Sequence, residues 1–85
     1  MGEEKIGIVS HYYNKIGVAT IILEGGLSIG DTIRIKGSTT DFTQKIDSMQ
    51  LEHKSVETAI TGDHIGIRVN EYAREGDIVY KALDK

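Results

Sequence analysis

The stretch GLSIGDTIRIKG, Gly26 to Gly37, decides the fold. Its Gly30-Asp31 pair is followed by Thr32-Ile33-Arg34-Ile35-Lys36, in which two isoleucines stand two apart between polar residues. That period puts one face of a strand into a core and the other into water. Glycine takes the positive φ that a reversal demands, and an aspartate side chain can bond the backbone amides just after it, so the pair reads as a strand-opening turn. It recurs at Gly62-Asp63, ahead of Ile65, Ile67 and Val69, and at Gly76-Asp77, ahead of Ile78-Val79-Tyr80. The chain is expected to be all-β.

Working outward, residues Lys5 to Tyr13 form a first candidate strand with Ile6 and Ile8 on one face, and Ile16 to Glu24 a second, rich in β-branched residues. A short Asn14-Lys15 link between them suits a hairpin, and Gly25-Gly26 ends the second strand. Leu27 and Ile29 are expected to plug the end of a barrel or sandwich. The segment from Phe42 allows two readings: Phe42, Ile46 and Met49 have helical spacing, whereas Phe42-Gln44-Ile46 and Met49-Leu51 alternate as a strand with a phase slip near Ser48. His53 breaks the helical stripe, which favours one long bent strand with a bulge. Val56 to Asp63 reads as a turn region, Asp63 to Asn70 as a fifth strand and Ile78 to Ala82 as the last. Six short strands with regular turn signals predict a small six-stranded closed barrel, one domain over residues 1–85.

Composition bounds the function. With 39% hydrophobic and 27% charged residues the chain is an ordinary globular one, long enough for a single modest core. It has no cysteine, which removes disulfides, zinc thiolates and thiol nucleophiles and suits a reducing compartment. The start, MGEEKIGIVSHYY, is acidic where a secretory signal is basic, no run is long enough to span a membrane, and Ile6 stands where a myristoylation motif needs Ser or Thr. A cytoplasmic protein that contacts no membrane is expected. The formal net charge of −3 argues against affinity drawn mainly from many phosphate contacts.

Catalytic signatures are sparse. EGGLSIGD has glycines but no lysine of a phosphate-binding loop, so no nucleoside triphosphate is expected to bind. His11, His53 and His64 are scattered and read as surface or rim residues, not metal ligands. Ser10-His11 and Ser48 with His53 hold the letters of a nucleophile and a base without a third orienting group. The sequence therefore predicts no catalytic residue, cofactor or metal. The remaining candidates are contact residues: Tyr13 and Tyr72 to stack on unpaired bases, with Lys15, Lys45 and Arg74 to meet phosphates.

As a constellation, GLSIGDTIRIKG, AITGDHIGIRV and REGDIVY resemble the second domain of the translation elongation factor Tu family, a six-stranded barrel, over Ile8 to Ala82. TDFTQKIDSM is similar to a segment in the barrel-like C-terminal domain of the collagenase-type peptidases linked to transfer-RNA hydroxylation. The first resemblance implies a barrel that helps hold the aminoacylated 3′ end of transfer RNA, with a pocket near Val18, Ser48 and Ile67. Ser48 stands where the factors tend to have an acidic residue, and Leu51 near where a basic one would be. Together the resemblances imply a non-enzymatic module that binds RNA or the translation machinery, or an accessory protein-docking subunit of a peptidase-like or RNA-modifying enzyme.

Overall fold

A computed structural model describes residues 2–82; Met1, which entered the reading of the N-terminus, and residues 83–85 lie outside the described part. Ten strands follow one another: β1 (Glu3–Tyr13), β2 (Val18–Leu23), β3 (Leu27–Ser28), β4 (Thr32–Lys36), β5 (Asp41–Lys45), β6 (Met49–Leu51), β7 (Lys54–Val56), β8 (Thr58–Ala59), β9 (His64–Arg68) and β10 (Ile78–Ala82). Among the described residues there is no helix.

The three Gly-Asp pairs do open strands, though by a different bond from the one expected. Gly30, Gly62 and Gly76 have φ of 94°, 93° and 91°, the sign that the third residue of a type II turn requires. Each aspartate reaches backward: Asp31, Asp63 and Asp77 accept from the amides of Ser28, Ile60 and Arg74 at 2.9, 3.0 and 2.8 Å. The same three aspartates donate their own amides to the carbonyls of Ser28, Ile60 and Arg74. Both bonds close one loop, and β4, β9 and β10 start on the next residue.

Strand pairing is antiparallel throughout, in the order β5-β4-β10-β1-β2-β9-β6-β7, with β3 and β8 paired separately. The sheet coils around one core in which Ile6, Val9, Ile21, Leu23, Ile33, Ile35, Ile65, Ile67 and Val79 are almost completely buried. It is not the closed six-stranded barrel that the turn count suggests, because β5 and β7 end the sheet without pairing. The bent segment explains the gap. Residues Phe42, Gln44 and Ile46 are buried, then Met49, so the phase slips near Ser48 as the alternation indicates, but the chain leaves β4 after Lys45 and joins β9 only at Met49. Across the resulting gap the Gln44 side-chain amide donates to the Arg68 carbonyl (2.9 Å) and accepts from the Asn70 amide (2.7 Å).

Other expectations shift locally. β1 is irregular between Lys5 and Gly7, so Ile6 and Val9 face the core and Ile8 is only half-buried, not on one face with Ile6. The β1–β2 link is the four residues Asn14 to Gly17, tied by Ile16 and Gly17 amides to the Tyr13 carbonyl, so Ile16 leaves the strand and is exposed. Leu27 plugs the core, whereas Ile29 is partly exposed. Within Val56 to Asp63 the chain still forms β8.

Candidate binding surface

The outward residues of four adjacent strands build a groove of 580 Å³. β2 contributes Val18 and Thr20, β9 His64 and Gly66, β6 Gln50, and β1 Ser10 and Tyr13. Thr20 and Gln50 both lie opposite Gly66 on its two neighbouring strands, so a residue without a side chain forms the floor between two walls. Ile16 closes one end and the Glu52-His53 turn the other rim. The Ser10 and Thr20 hydroxyls are 2.9 Å apart and satisfy each other. The lining carries one carboxylate, two imidazoles and no lysine or arginine, which suits a largely neutral occupant better than a phosphate.

A second, more open groove of 670 Å³ lies between β3, β8 and the β6–β7 hairpin, lined by Ile29, Met49 and Val56 with several hydroxyls, Asp47 and Glu57. Among the described residues no group of three His, Asp or Glu side chains could hold a metal ion. Ser10 bonds to Thr20 and not to His11, while Ser48 and His53 line different grooves.

The structure places the candidate contact residues as follows. Tyr13 (47% exposed) and Tyr72 (68% exposed) are both on the surface, but each pairs with a different ring. The Tyr13 ring stands edge-on to His11 at 4.3 Å, and His11 Nδ1 meets Glu75 Oε2 at 2.8 Å. The Tyr72 ring lies 5.3 Å from Tyr12. Because the Val69 amide bonds to the Gly17 carbonyl, the turn bearing Lys15 adjoins the loop that bears Tyr72 and Arg74. Tyr13 lines the first groove, whereas Tyr72 packs on Tyr12, the neighbour of Tyr13 on β1 with its side chain on the opposite face of that strand, and Lys15 and Arg74 stand on the adjoining turn and loop. Lys45 is on the edge strand β5, with β4 and β10 between it and β1.

The pocket implied by resemblance is divided. Val18 lines the first groove, Ser48 lines the second, and Ile67 is 1% exposed inside the core. Reading the sequence missed Gln50, Thr20, His53, His64 and Gly66 as neighbours. Their outward phase is visible within each strand, but the groove exists only once β2, β9 and β6 are known to be adjacent.

Elsewhere two cations are paired: Arg34 Nε and Nη2 make two 2.8 Å bonds to Asp41 and Nη1 lies 3.4 Å from Glu3, while Lys5 lies 3.6 Å from Glu24. The hydrogen bond from Arg34, together with its charge, holds the Asp41 carboxyl below the usual carboxylate range.

No family model matches the chain. It is 47% identical over 77 residues to an uncharacterised protease of Methanocaldococcus jannaschii, a match covering 89% of this chain and 19% of that protein. It is 40% identical over 72 residues to a collagenase of Porphyromonas gingivalis, covering 82% and 20%. The mouse (Mus musculus) selenocysteine-specific elongation factor is 34% identical over 68 residues, covering 75% and 11%. The chain thus spans about a fifth or less of the length of these relatives. In fold it matches the C-terminal domain of a Geobacillus thermoleovorans protein named as a U32 peptidase, with a TM-score of 0.87 at 22% identity, covering 93% and 92%. A bacterial selenocysteine-specific elongation factor matches with a TM-score of 0.71 at 20% identity, covering 91% and 14%. The similarity therefore runs to an elongation factor and to collagenase-type proteins, the two groups that the sequence motifs resemble.

Proposed function

We propose that this chain is a non-catalytic binding module whose aromatic end and adjoining groove take the single-stranded 3′ end of transfer RNA in the cytoplasm. The observation that carries this reading is exposed Tyr13 on a groove of neutral lining, with Lys15 on its own turn and exposed Tyr72 and Arg74 on the loop that this turn adjoins. Stacking on an aromatic side chain contributes about 1–3 kcal/mol per base, so two rings supply most of the affinity. Phosphate contacts are few. With Lys15, Arg74 and Arg68, which is exposed on β9 beside Gly66, about three phosphates are met, and log K falls against log salt with a slope of about −2. Lys45 on β5 extends the contact to a longer strand. The selenocysteine-specific elongation factors among the relatives support a translation-linked partner.

The test is fluorescence anisotropy of labelled transfer RNA, aminoacylated and bare, across a salt series. Binding with that shallow slope, weakened about ten- to hundredfold by Tyr72→Ala, is the expected result. Affinity indifferent to Tyr13→Ala, Tyr72→Ala and Lys15→Glu sinks the assignment.

A second reading has its own support. The chain matches almost the whole of a C-terminal domain from a peptidase-named protein and a fraction of longer protease relatives. A docking role on a peptidase-like or RNA-modifying partner follows, with Tyr13, Ile16 and Val18 as the apolar contact. Such binding is nearly independent of salt, which separates the two readings.

A further inference from the structure

Two departures from ordinary strand and turn chemistry meet at the first groove. Among the described residues the strands hold two glycines, Gly7 and Gly66. A β-carbon at Gly7 would meet Ile21 Cγ2 at 2.7 Å and the Ile22 carbonyl oxygen at 2.8 Å, so packing there excludes a side chain. Gly66 has no such reason. Its φ is outside the left-handed region, and a β-carbon would meet only Val18 Cγ1, at an ordinary contact distance of 3.5 Å. It stands mid-strand in β9, paired to Thr20 on one side and to Gln50 on the other. Glycine at such a position weakens a strand relative to alanine, and in strands it marks the close approach of a ligand or another backbone.

The second departure is the Glu52-His53 turn. Both residues have positive φ, 53° and 67°, in a two-residue hairpin loop that asparagine and glycine form with less strain. Both side chains are exposed, and both line the groove that Gly66 floors. Neither departure is needed to build β9 or the β6–β7 hairpin, yet together they give one surface a bare floor and a rim. Positions that break local rules in this way gather at functional sites.

The lining selects the occupant. At 580 Å³ the groove has the size of a small-ligand pocket, about 300–1,000 Å³. Gly66 offers a strip of main chain to a planar face, with the Ser10-Thr20 hydroxyl pair on one side and the exposed Gln50 amide on the other to meet polar edges. Tyr13 lines the same groove, and the lining has neither lysine nor arginine to meet a phosphate. Unpaired bases are recognised by stacking on their faces and by hydrogen bonds to their edges. We infer that Gly66 and the Glu52-His53 turn are specificity-determining residues, which keep the floor bare and the rim raised for the face of one unpaired nucleobase. This rests on the reading of the chain as a module for the unpaired end of transfer RNA.

Fluorescence anisotropy tests it with a labelled hairpin that ends in the unpaired 3′ strand of transfer RNA, and with copies each lacking one base of that strand. Gly66→Ala is expected to raise the urea midpoint and to weaken binding of the intact hairpin about five- to tenfold, as a base lifted off the floor would. For one of the abasic copies this variant and the wild type bind alike, since the base that the added methyl displaces is gone. Glu52→Asn with His53→Gly also raises the midpoint and weakens the intact hairpin, although removal of an acid would by charge alone strengthen it. A loss of stability in Gly66→Ala overturns the inference, because the glycine would then serve the fold. So does unchanged affinity, an equal loss on the intact hairpin and every abasic copy, or a turn replacement that binds as tightly as the wild type. If Tyr13→Ala weakens the intact hairpin while Gly66→Ala does not, the inference falls and the reading of the aromatic end stands. A wild-type chain that binds no hairpin sinks both.

Discussion

A carboxylate that accepts from the amide three residues upstream ties a turn shut, and Asp31, Asp63 and Asp77 all do so, in unequal surroundings. Asp77 is buried (6% exposed), and its second oxygen lies against Gly37 so closely that a β-carbon there would overlap it. A buried carboxylate that loses its partners is costly, and so is a buried amide left without its acceptor. Asp77→Ala is therefore expected to cost about 2–3 kcal/mol, and Asp63→Ala, whose bond to Ile60 is exposed, about 1 kcal/mol. Asp77→Asn keeps one acceptor and falls between them. Urea unfolding of the three variants measures the order, and equal losses at the two positions would show that burial of Asp77 contributes nothing.

Strands rather than residues decide the next level, and the β6–β7 hairpin is the least comfortable of them. Its two-residue turn, Glu52-His53, has φ of 53° and 67°, the double left-handed conformation of a type I′ turn. Side chains disfavour that region by about 1–2 kcal/mol, which asparagine and glycine largely avoid. Replacing the pair by Asn-Gly is expected to raise stability by about 1–2 kcal/mol, read from the urea midpoint at unchanged slope. The same turn shows what the sequence hid. β4, β9 and β10 were legible because each follows a Gly-Asp pair and alternates cleanly. Glu52-His53 gives no such signal, so the β6–β7 hairpin is hidden after the expected bent strand, and β8 lies within the expected turn region Val56 to Asp63. The irregularity in β1 leaves one trace, Gly7, where a β-carbon would meet Ile21 Cγ2 at 2.7 Å and the Ile22 carbonyl at 2.8 Å. Without the partner strand that trace is mute, and Ile6 and Ile8 look like one face. At the surface, Tyr13, Lys15, Tyr72 and Arg74 were legible as exposed candidates. The groove beside them was not, because its walls come from β1, β2, β9 and β6, and their adjacency is a property of the whole sheet.

For the molecule as a whole, the central question is what keeps an eight-stranded sheet coiled when its terminal strands do not pair. The hydrophobic core supplies the drive, yet apolar contacts have no direction and would tolerate a splayed edge. Direction comes from Gln44. Its amide meets a carbonyl and an amide two residues apart, Arg68 and Asn70, and so does the work of two ladder bonds from a side chain that is itself 8% exposed. Leucine at this position fills similar space but leaves the Asn70 amide and the Arg68 carbonyl without partners, and Gln44→Leu is expected to cost about 2–4 kcal/mol. Gln44→Glu separates the two halves of the bridge: the carboxylate still accepts from Asn70 but faces the Arg68 carbonyl with like polarity, so its loss shrinks as acid protonates it and restores a donor. Hydrogen exchange locates the effect. Faster exchange in Gln44→Leu should be confined to the inward amides of β5, Phe42 and Gln44, and to Asn70, while β2 and β9 keep their protection. Uniform acceleration across all strands would mean that the coil is held by the core alone and that the bridge follows from closure without causing it.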